Sequence, residues 1–150
     1  MNFFADVILP LPLQGTFTYK LTPNQRKSLG IGHRVAVSFG KRKIYTGVIK
    51  HIHNQKPDFS QIKPIEFSYD SDALISQSQI KFWSWMSKYY FTPLGDVLKA
   101  AIPSTFLLES DTVIVKKEIE ENNLDDLTED EFLIYEALGF KNLKINEVSE

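Results

Sequence analysis

The feature that most constrains this chain is an alternation of period two. It recurs in short stretches across the first 70 residues and is broken each time by proline or glycine. Thr16–Leu21 sets Phe17, Tyr19 and Leu21 on one side and Thr16, Thr18 and Lys20 on the other, the pattern of a half-buried strand. His33–Phe39 repeats it, with Val35, Val37 and Phe39 opposed to Arg34 and Ser38. Phe3–Leu9 is β-prone and is ended by Pro10 and Pro12, because proline cannot donate to a ladder. Gly40-Lys41-Arg42-Lys43 reads as a hairpin tip and Ile44–Ile52 as the returning strand. Gly47 inside that strand predicts a bulge or a close backbone approach. Thr22-Pro23-Asn24 and Gly30-Ile31-Gly32 carry turn chemistry, Asn54–Ser60 reads as a polar loop, and Ile62–Tyr69 as a further strand. Short strands at this spacing favour a small antiparallel sheet or a partly closed barrel.

The pattern changes at Ser76. Ser76-x-x-Gln79 is a capping box and predicts a helix through about Phe91, stopped by Pro93. Ile80, Phe82, Trp83, Trp85, Met86, Tyr89 and Tyr90 cover most of its circumference, so it is expected to pack across the barrel. Gly95–Ala101 adds a short helical turn before Pro103. Residues 1–105 therefore read as one domain of an α+β fold. Residues 106–150 read as the start of another, with a strand over Asp111–Lys117, an acidic linker over Glu118–Leu127 and a capped helix from Thr128 to Leu138. So small a second piece is expected to be cut short at Glu150.

Charge separates the same two pieces. Residues 1–105 hold 13 Lys and Arg against 6 Asp and Glu, a net +7, whereas residues 106–150 hold 4 against 13, a net −9. Within Lys20–Lys63 ten basic residues face Asp58 alone. A basic face of this kind is either merely solvated or meets an acidic partner. With no cysteine, the chain has no disulfide framework, thiolate nucleophile or Cys-ligated metal. It also lacks a phosphate-binding glycine loop, a dinucleotide fingerprint and a nucleophile elbow. The first 13 residues lack the basic segment and cleavage site of a signal peptide, and no apolar run approaches a membrane span. A soluble, cytoplasmic protein without a membrane partner is expected.

His51 and His53 flank Ile52 on a predicted strand and so share a face. No nearby carboxylate completes a shell, and they read as partly exposed strand histidines, with no metal site expected. The acids Glu120, Glu121, Asp125, Asp126, Glu129, Asp130 and Glu131 lack the order of a calcium loop and read as a solvated linker and helix N-terminus. Lys41, Arg42 and Lys43 at a hairpin tip suit phosphate contacts. Phe17, Tyr19, Phe39 and Tyr45 are faces on which unpaired bases could stack, although the strand pattern favours core packing for Phe17, Tyr19 and Phe39.

Read in order, three segments have a further implication. They are Val7-Ile8-Leu9-Pro10-Leu11-Pro12-Leu13, Gly15-Thr16-Phe17-Thr18-Tyr19, and Gly32-His33-Arg34-Val35-Ala36-Val37-Ser38-Phe39-Gly40-Lys41. Together they resemble the start of the primosomal protein N′ (PriA) family of bacterial replication-restart helicases. Lys88-Tyr89-Tyr90-Phe91-Thr92-Pro93-Leu94-Gly95-Asp96-Val97-Leu98, followed by Ala101-Ile102-Pro103, resembles the same family's Y-Y-x-x-P-x-G-D-V-L…P signature. The resemblance runs collinearly over about residues 3–103.

It implies that residues 1–105 form a small β-barrel-like 3′ DNA-binding domain, followed by the start of a winged-helix domain. Such a domain captures the 3′ end of a DNA strand at a stalled fork. The implied pocket residues are Phe17, Thr18, Tyr19, Gly40 and Lys63, with Lys41, Arg42 and Lys43 supplying phosphate contacts. Thr18 departs from the family's aspartate, which accepts a hydrogen bond from the 3′-hydroxyl; a neutral acceptor makes a weaker contact. The implied partners are DNA with a free 3′ end, forked DNA and other primosome proteins. No cofactor is expected in this piece, since ATP, magnesium and zinc belong to the ATP-dependent 3′-to-5′ helicase that would be its parent, and no catalysis is expected either. The alternative from another class is a protein-interaction module that docks a partner such as single-strand-binding protein. A hydrolytic enzyme is disfavoured, as no nucleophile pairs with a base at a recognisable spacing.

Overall fold

In a computed structural model of the chain, which describes residues 2–41, 43–58, 61–111, 113–116 and 127–144, the alternating segments become strands: β1 (Phe3–Ile8), β2 (Phe17–Leu21), β3 (Arg34–Phe39), β4 (Lys43–His53) and β5 (Ile65–Ser68). They form one antiparallel sheet in the order β2-β1-β4-β3-β5. Its outer strands curl toward each other, and the Lys20 N–H donates to the Lys63 carbonyl at 2.9 Å across them. The result is a curled half-barrel, as the sequence predicts. β5 is shorter than expected because Pro64 has no N–H to give to a ladder.

The alternation is what fills this barrel. Ala5, Val7, Tyr19, Leu21, Val35, Val37, Ile49 and Ile65 point inward and are buried, with Leu29 added from the end of a short helix, α1 (Pro23–Ser28). That helix replaces the expected turn. Thr22 caps it and exchanges hydrogen bonds with Gln25, and Pro23 occupies the first turn, where no N–H is needed. Gly47 marks a close approach. A Cβ there would lie 2.3 Å from Val7 Cγ1 and 2.9 Å from the Ile8 carbonyl.

Two helices, α2 (Gln77–Tyr89) and α3 (Leu94–Ala101), cover part of the sheet's other face. Ile8 and Val48 meet Ile75, Ile80, Trp83, Leu94, Val97, Leu98 and Ile102 there in a second buried cluster. α2 therefore packs on the outside of the barrel rather than across it, and the expectation of a fully packed helix is corrected. Only Ile80 and Trp83 of α2 are buried. Phe82, Trp85 and Tyr89 stack along the exposed side. One sheet face can cover only one stripe of a helix, and among the described residues Phe82, Trp85 and Tyr89 on the opposite stripe stay exposed. The helix also stops before Phe91, which takes φ +52 ahead of Thr92-Pro93.

The chain after Pro103 stays with the barrel as far as Ser110. β1 ends beside Val48 and leaves the first half of β4 with a free edge. Thr46 N–H donates to the Leu108 carbonyl and Ser110 N–H to the Ile44 carbonyl, both at 2.8 Å. Arg34 holds the same segment. It bonds Asp70 through two nitrogens at 2.6 and 2.8 Å and donates to the Phe106 carbonyl at 3.0 Å. The compact unit so formed spans Met1–Ser110, and Asp111–Glu150 forms another. In that second unit β6 (Val113–Ile114) pairs antiparallel with β7 (Leu143–Lys144), and Thr128 caps α4 (Glu129–Ala137) in a capping box with Glu131. The Glu131 carboxyl is held below its usual range by the Thr128 N–H and hydroxyl. Most of the acidic linker, with Glu120, Glu121, Asp125 and Asp126, lies outside the described residues.

Candidate nucleic-acid interface

At the seam where the sheet curls back on itself, β2, the β3–β4 turn and the segment entering β5 enclose an open cleft of about 510 Å³. Its lining is Thr16, Phe17, Thr18, Tyr19, Ser38, Phe39, Gly40, Gln61, Ile62 and Lys63. All five residues expected to form the pocket, Phe17, Thr18, Tyr19, Gly40 and Lys63, thus line one cavity although they come from three separate stretches of chain.

Each is placed by a local cause. Phe17 is half-buried, with its ring edge-on to Phe39 at 4.7 Å. Tyr19 faces inward and is buried, its hydroxyl donating to the Ser38 carbonyl at 3.2 Å, and burial pushes its phenol up to about 12. It remains a neutral donor at physiological pH. Thr18, on the opposite face of β2, donates its hydroxyl to Asp6 Oδ1 at 2.7 Å. Gly40 takes φ +67 to close the turn, and nothing lies within 4 Å of where its Cβ would be. Glycine is thus required there by the backbone angle rather than by crowding. Its carbonyl accepts from Lys63 Nζ at 2.6 Å, which pins that ammonium at the rim.

The basic tip is less uniform than the sequence suggests. Lys41 is exposed in the turn but does not line the cleft. Lys43 opens β4 instead of standing at the tip. Its ammonium lies 3.0 Å from Glu109 and 5.1 Å from the Tyr45 ring centre, and the Glu109 hydrogen bond raises its pKa. Arg42 lies outside the described residues. A larger recess of about 630 Å³ adjoins the far end of β2, with Phe3, Lys20, Arg26, Lys27 and Pro64 in its lining. It continues the positive charge along the seam.

Asp6 is the residue that sequence reasoning missed. β1 pairs with β4 so that Asp6 lies opposite His51 and Phe4 opposite His53. The Asp6 carboxylate is 3.3 Å from His53 Nε2 and 3.8 Å from His51 Nδ1. The reading that the two histidines have no carboxylate beside them is therefore corrected. β1 precedes them by more than forty residues, and only the sheet register brings Asp6 to them.

A small curled sheet with an aromatic-lined cleft along its seam, Lys63 at the rim and Lys20, Arg26 and Lys27 in the adjoining recess, suits the class of β-barrel nucleic-acid-binding modules. The comparison with known proteins narrows the class. The model of the 3′DNA-binding domain (3′BD) family matches residues 6–103, and the chain belongs to that family. It is 29% identical over 105 residues to the replication restart protein PriA of Treponema pallidum (strain Nichols), covering 67% of this chain and 16% of that protein. To the replication restart protein PriA of Buchnera aphidicola subsp. Acyrthosiphon pisum (strain APS) it is 31% identical over 115 residues, or 77% of this chain and 15% of the relative. The protein of that name from Chlamydia pneumoniae is 30% identical over 104 residues, 69% of this chain and 13% of its own length. The chain thus spans only about a sixth or less of the lengths of these three relatives. The resemblance read from the sequence motifs is borne out, and DNA is the partner that the family defines. Among the described residues no helix is long and apolar enough to cross a membrane.

Proposed function

We propose that the cleft captures the terminal nucleotide at the 3′ end of a DNA strand at stalled replication forks, as the DNA-binding module of an ATP-dependent 3′-to-5′ replication-restart helicase. The observation that carries this reading is the convergence of Phe17, Thr18, Tyr19, Gly40 and Lys63 on one open cavity. End capture requires the cleft to stop beyond the 3′ carbon, so that a nucleotide bearing no further phosphate enters and an internal one does not. Sequence independence follows if the contacts go to sugar, phosphate and base face: Phe17 for stacking, Lys63 for the phosphate. Thr18 retains a role despite its neutrality. Its hydroxyl proton is committed to Asp6 at 2.7 Å, so its lone pairs remain free to accept from a 3′-hydroxyl, with the carboxylate charge one side chain behind. Lys20, Arg26 and Lys27 would meet the phosphates upstream of the end.

The test is a titration with three ligands of one sequence: an oligonucleotide with a free 3′-hydroxyl, the same strand 3′-phosphorylated, and a circular single strand. The free end is expected to bind at least tenfold more tightly than the circle. Equal affinity for all three overturns end capture. Because few phosphates are touched, log K against log salt is expected to slope by about −1 to −3.

A second reading, a module that docks a protein such as single-strand-binding protein, is favoured by one observation. Phe82, Trp85 and Tyr89 stand stacked and exposed on α2, and a contiguous exposed apolar face marks an interaction surface more often than chance. Binding to none of the three oligonucleotides would favour it.

A further inference from the structure

The outer face of the sheet is divided. Helices α2 and α3 cover the half that carries Ile8 and Val48, while the other half carries Asp6, Thr18, His51 and His53. One ligand-type atom from each of Asp6, His51 and His53 lies within 4.8 Å of the others. The two imidazoles stack at 5.6 Å and 19°, so both rings rise from β4 in the same orientation. Among the described residues no lysine or arginine pairs with Asp6; its partners are the two histidines and the Thr18 hydroxyl.

We propose that Asp6, His51 and His53 form a binding site for a divalent transition-metal cation of the zinc type. Zinc bonds of about 2.0–2.2 Å in a tetrahedral shell place donor atoms roughly 3.3–3.6 Å apart. One donor atom from each residue lies within 4.8 Å of the others, with His53 Nε2 3.3 Å from Asp6 Oδ1 and His51 Nδ1 3.8 Å from Asp6 Oδ2. Side-chain rotations must bring the three donors from within 4.8 Å to that spacing. Two imidazoles and one carboxylate suit zinc, nickel or copper rather than magnesium or calcium, which prefer oxygen alone. Three protein donors leave a fourth position for water.

Affinity is set by two features. The site is preformed by sheet register, so little chain entropy is lost on binding. Against this, His53 Nδ1 is buried without a hydrogen-bond partner, so the ring lacks the outer acceptor that raises a ligand's basicity. The balance predicts micromolar rather than nanomolar affinity. The site stands independently of the DNA reading, since its chemistry uses no residue of the cleft except through the Thr18–Asp6 hydrogen bond.

The test is calorimetric titration of zinc chloride into the chelator-stripped 150-residue chain, with cobalt(II) absorption as a second readout. One ion per chain with micromolar affinity, and cobalt bands of tetrahedral intensity, are expected. His51→Ala and Asp6→Asn should each weaken zinc at least tenfold. Both are chosen to spare the fold: His51 is largely exposed, and asparagine preserves the acceptor for Thr18. Absence of zinc binding, or binding unchanged in both variants, overturns the proposal.

Discussion

Phe17, Tyr19 and Phe39 on the sheet and Phe82, Trp85 and Tyr89 on α2 belong to the same compact unit and come from stretches of similar aromatic content. The first group is drawn into the barrel seam, with Tyr19 only 4% exposed. The second stays in solvent, with Trp85 53% and Tyr89 63% exposed. A strand in a curled sheet has one inner face, and the aromatics on it are buried, like Tyr19, or half-buried at the seam, like Phe17 and Phe39. A helix laid on the outside of a sheet has one covered stripe, and the rest of its circumference is left over. Aromatic content therefore measures core only when the element's partner surfaces are known.

The sharpest way to break this comparison lies within α2 itself. Trp83 is 5% exposed and Trp85 53%, so Trp83→Ala should cost about 3–5 kcal/mol of unfolding free energy, and Trp85→Ala well under about 1 kcal/mol. Denaturant unfolding of the two variants measures both; equal losses would mean that α2 is covered on both sides. Next in size is the close approach at Gly47, where Gly47→Ala should destabilise by about 1–3 kcal/mol through overpacking against Val7 and Ile8.

The DNA side of the comparison needs binding rather than stability. Phe17→Ala and Lys63→Ala should each weaken binding of a free 3′ end more than tenfold, about 1.4 kcal/mol or more, while Phe82→Ala changes it less than twofold. Fluorescence anisotropy with a labelled oligonucleotide is the measurement. The Lys63 variant should melt within a few degrees of the parent, because Lys63 is exposed and its ammonium makes one hydrogen bond to Gly40. A large loss of melting temperature would make Lys63 a structural residue of the seam.

The smallest expected effect concerns a third aromatic group, in which Arg34 lies 5.5 Å from the Tyr69 ring centre and 4.8 Å from that of Phe106. The Arg34 hydrogen bonds hold the Asp70 carboxyl below its usual range. A lowered folded pKa makes the pair's contribution complete above the unfolded value of about 3.9, and it is lost as pH falls through the folded value. The pair is partly solvated, so the loss should be at most about 1 kcal/mol. Asp70→Asn should flatten the acid limb of stability against pH by that amount.

Much of the local structure was legible beforehand because its causes lie within a few residues. The capping boxes at Ser76 and Thr128 place α2 and α4, and the alternation over Thr16–Leu21 and His33–Phe39 orients β2 and β3. Even α1 had its signal, since Thr22-Pro23-Asn24-Gln25 is a capping box with proline in the first turn. Pro23 and Asn24 suit a turn as well, and the reciprocal hydrogen bonds of Thr22 and Gln25 decide for the helix. The exposed side of α2 had no such signal, because an apolar helix surface does not record which of its stripes will find a partner. Nor does the sequence show the pairing of Lys43 with Glu109, which is far along the chain.

The sequence by itself determined which residues sit on one side of each strand, where the helices start, and the motifs that identify the family. These depend on periodicity and on hydrogen bonds spanning three or four positions. Only the tertiary structure decided that β2 meets the entry to β5 through Lys20 and Lys63, which creates the cleft, and that β1 lies against β4, which sets Asp6 beside His51 and His53. Those meetings depend on sheet order and register. Backbone hydrogen bonds between strands are the same whatever the side chains, so the burial of the whole inner face, rather than any local spacing, selects the one pairing that closes the barrel.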